Sequence, residues 1–141
     1  MPPGATRPPR RASRKTRTDG READAMEKVT IVLHDPPYGT ERVFNALRLA
    51  EALVSAGAAV RIFLYADSVV AAKKGHAPPR GFYNTAEMLA KLIGKGVEVR
   101  TCLTCTRARG LAQEDFIDGA VVGKTMDLAR WVVEDGKVLV F

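Results

Sequence analysis

The chain has 141 residues, enough for one domain with a real core, and its 46% hydrophobic and 27% charged residues are ordinary for a soluble globular protein. No apolar run approaches the roughly 18 residues that a membrane-spanning helix needs. The formal net charge of +6 sits in residues 1–18, where Arg7, Arg10, Arg11, Arg14, Lys15 and Arg17 stand without an acid; beyond them 16 basic and 16 acidic residues cancel, which argues against nucleic acid as a partner of the folded part.

Residues 1–25 hold four of the eight prolines and no Val, Ile, Leu or Phe. Such a segment cannot bury enough apolar surface to offset the entropy of ordering, so a disordered basic tail is expected, followed by one domain over 26–141. No apolar stretch follows Arg10-Arg11, which excludes a secretory or twin-arginine signal, and a cytoplasmic location is expected.

Lys28 to Leu33 is a β-branched run that reads as a buried first strand. His34 to Gly39 breaks it with turn residues. Thr40 then caps a helix to about Ala56, with Val43, Phe44, Leu47, Ala50, Leu53 and Val54 on one stripe. Ala59 to Leu64 is a second strand, followed by a short helical piece from Asp67 to Lys74 and a loop over Gly75 to Gly81. Asn84 caps the next helix, with Glu87 at the capping-box position and Met88, Leu89, Leu92 and Ile93 facing inward. The Val97-Glu98-Val99-Arg100 alternation is a third strand, Ala120 to Val122 a fourth, Thr125 to Glu134 a helix and Lys137 to Phe141 the last strand. Strands alternating with helices imply right-handed crossovers and a largely parallel sheet covered on both faces. The functional crevice of such a sheet lies beyond its carboxyl ends, where His34–Gly39, Ala66–Ser68 and Thr101–Cys105 should gather.

Both cysteines, Cys102 and Cys105, stand at the end of the third strand with two residues between them. Thr104 or Cys102 can open a short helix through Arg107 and Arg109 that stops at Gly110. Unpaired N–H groups there favour a thiolate, and such surroundings lower a thiol pKa from about 8.5 to as little as roughly 3.5–7.5. Other readings stand beside this one. A disulfide across so short a loop is strained and gains little entropy. Two buried, inert thiols, half of a zinc site and a redox pair also fit the spacing. The other soft ligands, His34 and His76, lack the His-x3–5-His spacing, so no metal and no cofactor are expected. The segment Gly119 to Thr125 ends like a phosphate loop, but Asp118 stands where that loop needs its first glycine. His34 and Asp35 could orient or deprotonate a thiol; alternatively Asp35 and Pro36 only build the turn.

The stretches HDPPYGTERVFNALRLAEAL, VRIFLYADSVVAAKKG, GFYNTAEMLAKL, GVEVRTCLTCTRARGL and MDLARWVVEDGKVLVF, in that order, resemble the DsrE/DsrF-like family of small sulfur-handling proteins from Lys28 to Phe141. The cysteine block followed by Arg109-Gly110-Leu111 is the most specific of them. The resemblance implies a three-layer α/β/α sandwich on a mostly parallel five-stranded sheet, assembling as a trimer or hexamer. Cys102 then matches the cysteine that carries a persulfide, and Cys105 matches a second cysteine of many relatives. Auxiliary binding residues on the matching stretches are His34, Asp35, Tyr38, Asp67 and Arg109. Ser68 departs from the glycine that often follows the Asp.

The resulting expectation is a cytoplasmic sulfur-transfer or sulfur-carrier protein with sulfur donor and acceptor proteins as partners, in which Cys102 takes up sulfane sulfur and Cys105 resolves it. A non-catalytic oligomeric module for a small ligand or partner, or a thiol redox sensor, would use the same cleft. The composition of the tail yields the first prediction. A chain starting at Met26 keeps the melting temperature and oligomer size of the full chain, as calorimetry and light scattering would show, and a large loss of either would mean that the tail docks.

Overall fold

In the computed structural model, Gly4 and residues 26–141 are described; the tail expected for residues 1–25 otherwise lies outside them. The elements are β1 (Lys28–Leu33), α1 (Arg42–Ser55), β2 (Ala59–Leu64), a 3-10 helix (Ala66–Ala72), α2 (Thr85–Gly94), β3 (Glu98–Cys102), α3 (Leu103–Ala108), a 3-10 turn (Gln113–Asp115), β4 (Ala120–Gly123), α4 (Thr125–Asp135) and β5 (Lys137–Val140). Two boundaries differ from the sequence reading. The first helix begins at Arg42 behind Glu41, because Thr40 turns its hydroxyl to Asp35 at 2.8 Å while accepting weakly from the Arg42 N–H at 3.3 Å. The piece after β2 is a 3-10 helix ending at Ala72. Asn84 caps α2 as read, its side chain accepting the Glu87 N–H at 3.0 Å.

The five strands lie in the order β4-β3-β2-β1-β5, and every pairing is parallel. From β1 to β4 the chain steps in one direction, so right-handed crossovers place α1 and α2 on one face. Returning from β4 to β5 reverses the step, and the same handedness puts α4 on the opposite face. Period-two alternation sorts the strand residues accordingly. Ile31, Leu33, Ile62, Leu64 and Val99 meet Val43, Leu47, Leu89 and Leu92 in the larger core. Val32, Phe63 and Cys102 meet Leu128 and Trp131 in the smaller one. Each fully buried Leu or Ile contributes about 1.5–3 kcal/mol. Trp131 is thus spent inside, and the exposed apolar residues are others, among them Val133, Val140 and Met126. Gly119 enters β4 with φ +87, where an added Cβ would lie 2.5 Å from Ile93 Cγ2, so only glycine fits.

A buried ion pair fastens α4 to the sheet. Asp135 accepts from the Thr30 hydroxyl at 2.6 Å, from Arg61 Nε at 3.0 Å and from Arg61 Nη2, and Arg61 also reaches Glu134 at 2.8 Å and lies 5.0 Å from the Trp131 ring centre. Burial works against the Asp135 carboxylate, but the Arg61 and Thr30 hydrogen bonds outweigh it and hold its pKa below the usual carboxyl range. A depressed folded-state pKa stabilises the fold above the unfolded value, about 3.9, and that contribution is lost as pH falls through the folded value. Asp135→Asn should therefore cost about 2–3 kcal/mol at neutral pH in urea unfolding, and the gap to the parent should close as pH falls below about 4. A gap that is constant down to pH about 2 would overturn this account.

Candidate functional site

The turns after β1, β2, β3 and β4 all emerge at the carboxyl edge of the sheet, because the strands are parallel. β3 ends at Cys102, whose Cα pairs with Gly123 in β4. Cys102 is also the N-cap of α3, and its Sγ accepts the Cys105 N–H at 3.5 Å. Cys102 is 4% exposed, in contact with the small core of Val32, Phe63, Leu128 and Trp131, and Cys105 is half-buried at its margin. Both thiols are free. Burial pushes the Cys102 thiol up, against the pull of the Cys105 and Thr104 N–H groups, and the neighbouring Cys105 thiol adds to the rise. The lowered pKa expected from a strand-to-helix junction is therefore not what this site provides. Its six-residue helix is short, and desolvation on the Trp131 side exceeds what two N–H groups return.

Arg109 braces the segment. It donates from Nη1 to the Cys105 carbonyl at 3.0 Å and from Nε and Nη2 to Asp67 Oδ1 at 3.0 and 2.7 Å, tying the end of α3 to the 3-10 helix after β2. At 31% and 61% side-chain exposure the pair is worth at most about 1 kcal/mol, so its effect is positional. Just before Asp67, Ala66 holds φ +50, which costs a residue with a Cβ about 1 kcal/mol. Ser68 offsets this strain: its buried hydroxyl lies 2.6 Å from the Tyr65 carbonyl and 2.9 Å from that of Leu33. The hydroxyl thus locks a bend where glycine would make no such bond. The helix stops at Gly110, φ +67, with the Leu111 N–H reaching back to Thr106 at 3.1 Å.

The remaining candidates divide. His34 stacks on Tyr65 at 5.5 Å, and Tyr65 in turn leans on the core that holds Cys102 and donates to the Thr125 hydroxyl at 3.0 Å. Asp35 is engaged with Thr40 and, at 3.7 Å, with Arg42. Tyr38 bonds His76 at 2.6 Å and packs against Phe82 and Tyr83. The contacts of Asp35 and Tyr38 thus join them to the turn after β1 and to the 75–85 loop, while Arg109, Asp67 and, through Tyr65, His34 are brought to the thiols. Sequence reasoning missed Tyr65, Phe63 and Trp131 as walls of the thiol site. The alternation Arg61, Phe63, Tyr65 carried the signal, but only the β2–β3 register puts that face beside Cys102. Gly123 matters too. Arg100 and Asp127 close over it so tightly that a Cβ would sit 3.0 Å from Arg100 Cδ and 3.1 Å from Asp127 Oδ2. No helix among the described residues is long and apolar enough to cross a membrane.

Comparison with known proteins agrees with the fold. The chain is 40% identical over 118 residues to an uncharacterised protein of Methanopyrus kandleri, covering 84% of this chain and 97% of that one. It is 42% identical over 118 residues to protein YchN of Escherichia coli, covering 82% of this chain and all of YchN, and the YchN crystal structure superposes with a TM-score of 0.78. A sulfurtransferase TusD homolog of Vibrio cholerae is 30% identical over 87 residues, 60% of this chain and 66% of that protein. The DsrE/DsrF-like family pattern matches residues 27–141, and the chain belongs to that family.

Proposed function

We propose that the protein carries sulfane sulfur on its cysteine pair and hands it to an acceptor thiol in the cytoplasm. The observation that carries this reading is the pairing of a buried Cys102, whose Sγ accepts a backbone N–H, with a more accessible free Cys105 one helical turn on. The family, and the sulfurtransferase name of one distant relative, point the same way.

In the loading step the Cys102 thiolate attacks the outer sulfur of a persulfide donor, R–S–SH. A new S–S bond forms, the donor's S–S bond breaks, and R–S⁻ leaves. An acceptor thiolate then attacks the outer sulfur of Cys102–S–SH, takes the S–H unit and regenerates the Cys102 thiolate. Alternatively the Cys105 thiolate attacks the inner sulfur, forms the Cys102–Cys105 disulfide and expels HS⁻. The apolar wall of Phe63, Leu128 and Trp131 suits a stored persulfide, because it keeps water and stray thiols from the reactive sulfur. It also makes deprotonation of Cys102 the costly part of loading. The working form is a homo-oligomer, trimer or hexamer, that meets separate donor and acceptor proteins.

Intact mass spectrometry after incubation with a persulfide donor tests the reading. The parent should gain roughly +32 Da, one sulfur atom. Cys102→Ser should abolish the gain, and Cys105→Ser should preserve or prolong it. Absence of any adduct on the parent, or adducts confined to Cys105, would overturn the assignment. In Cys105→Ser the uptake rate should keep climbing with pH beyond the free-thiol value of about 8.5, since burial raises the Cys102 pKa. A plateau below that value would contradict the site electrostatics.

A further inference from the structure

We propose that Tyr65 is a gate over Cys102, shut while the Tyr65 hydroxyl is bonded to Thr125 and open to reagents and sulfur donors when that bond breaks. The placement follows from strand order. β3 lies between β2 and β4. Leu64 of β2 is level with Thr101, so Tyr65 comes level with Cys102, and Cys102 itself is level with Gly123 of β4. Period-two alternation turns Phe63, Tyr65 and Cys102 to the same face, where they join Leu128 and Trp131 of α4. Tyr65 leaves from the end of β2, and Thr125 opens α4 just beyond the end of β4. The bond between their hydroxyls, 3.0 Å long, therefore passes over the end of β3, where Cys102 stands.

The surroundings of Tyr65 leave its side chain free to move and its backbone fixed. The Tyr65 N–H donates to the Leu33 carbonyl at 2.9 Å, and the Tyr65 carbonyl accepts from the Ser68 N–H at 3.0 Å and from the Ser68 hydroxyl at 2.6 Å. Opening therefore belongs to the ring. The other walls, Val32, Phe63, Leu128 and Trp131, are buried, whereas Tyr65 is half-buried and Thr125 is exposed. Water reaches the bond that shuts the gate and can replace Thr125 as its acceptor. On the β4 flank the residue level with Cys102 is Gly123, which has no side chain to take over the cover.

The part this gate plays in sulfur traffic rests on the carrier reading; its control of access to the thiol does not. A persulfide on Cys102 is shut away from free thiols while the bond holds, and transfer takes place during opening. A donor or acceptor that offers Tyr65 or Thr125 a hydrogen bond of its own holds the gate open, so contact with the partner regulates release. Loss of one such exposed bond changes the open fraction about fivefold.

In a Cys105→Ser chain Cys102 is the sole thiol, and its alkylation by N-ethylmaleimide reads the open fraction. Y65F and T125V each remove the bond and should speed alkylation about fivefold, while T125S restores an acceptor hydroxyl and should return the parent rate. Y65F with T125V should be no faster than either alone, because both break the same bond. The acceleration should hold at every pH, which separates access from a changed thiol pKa. It should also be independent of urea below the unfolding transition, since a ring swing exposes little new surface. Unchanged rates in Y65F and T125V, a T125S rate equal to that of T125V, or an acceleration that grows with urea would overturn the gate. Alkylation needs no sulfur, so a parent that takes up none ends the carrier reading and leaves the gate standing. A parent that loads sulfur, with variants that alkylate no faster, ends the gate and leaves the carrier.

Discussion

Parallel pairing of β2, β3 and β4 fixes the thiol site, because it sends the carboxyl ends of all three strands to one edge and sets which residues face α4. Once Phe63 is level with Arg100, and Cys102 with Gly123, the Cys102 side chain has to enter the space between Tyr65, Leu128 and Trp131. A register slip of one residue would turn Cys102 to the other face and bring Thr101 in its place. The Asp135–Arg61–Thr30 cluster supports the arrangement from the far end of α4, holding Trp131 down on the same face.

The chemistry of the pair follows from competition between solvation and dipoles. Backbone N–H groups aimed at Sγ favour the thiolate; the apolar wall disfavours it, and at Cys102 the wall prevails. A thiol in this condition reacts slowly with whatever diffuses past. Fast peroxidases and oxidant sensors, by contrast, use exposed and acidic cysteines, so the proposed carrier role suits this environment better. Arg109 and Asp67 contribute by holding the segment, so that the Cys105 thiol stays one turn from Cys102.

The two sheet edges use their backbone groups differently. Gln113 seals β4 beside the thiol segment, keeping a foreign strand from pairing next to Cys102. β5 is left open at the opposite side of the sheet, four strands from β4. On β5 itself Val140 stays exposed.

Much of the fold was legible in the residues. The β-branched runs of β1 and β2 matched their strands residue for residue, and Asn84 with Glu87 marked the start of α2, because local propensity and capping act within a few neighbouring positions. The CxxC segment was legible as a site for the same reason: the strand, its end and Gly110 all lie within one short stretch. That Asp35 serves the turn was already one of two readings of the sequence. What the sequence could not reveal was the sign of the Cys102 shift, the engagement of Tyr38 elsewhere, or the part played by Tyr65. Each depends on partners far along the chain, such as Trp131 against Cys102 and His76 against Tyr38. Elements and motif are short-range properties of the chain; burial, pKa and edge exposure are decided only when strand order and register bring distant residues into contact.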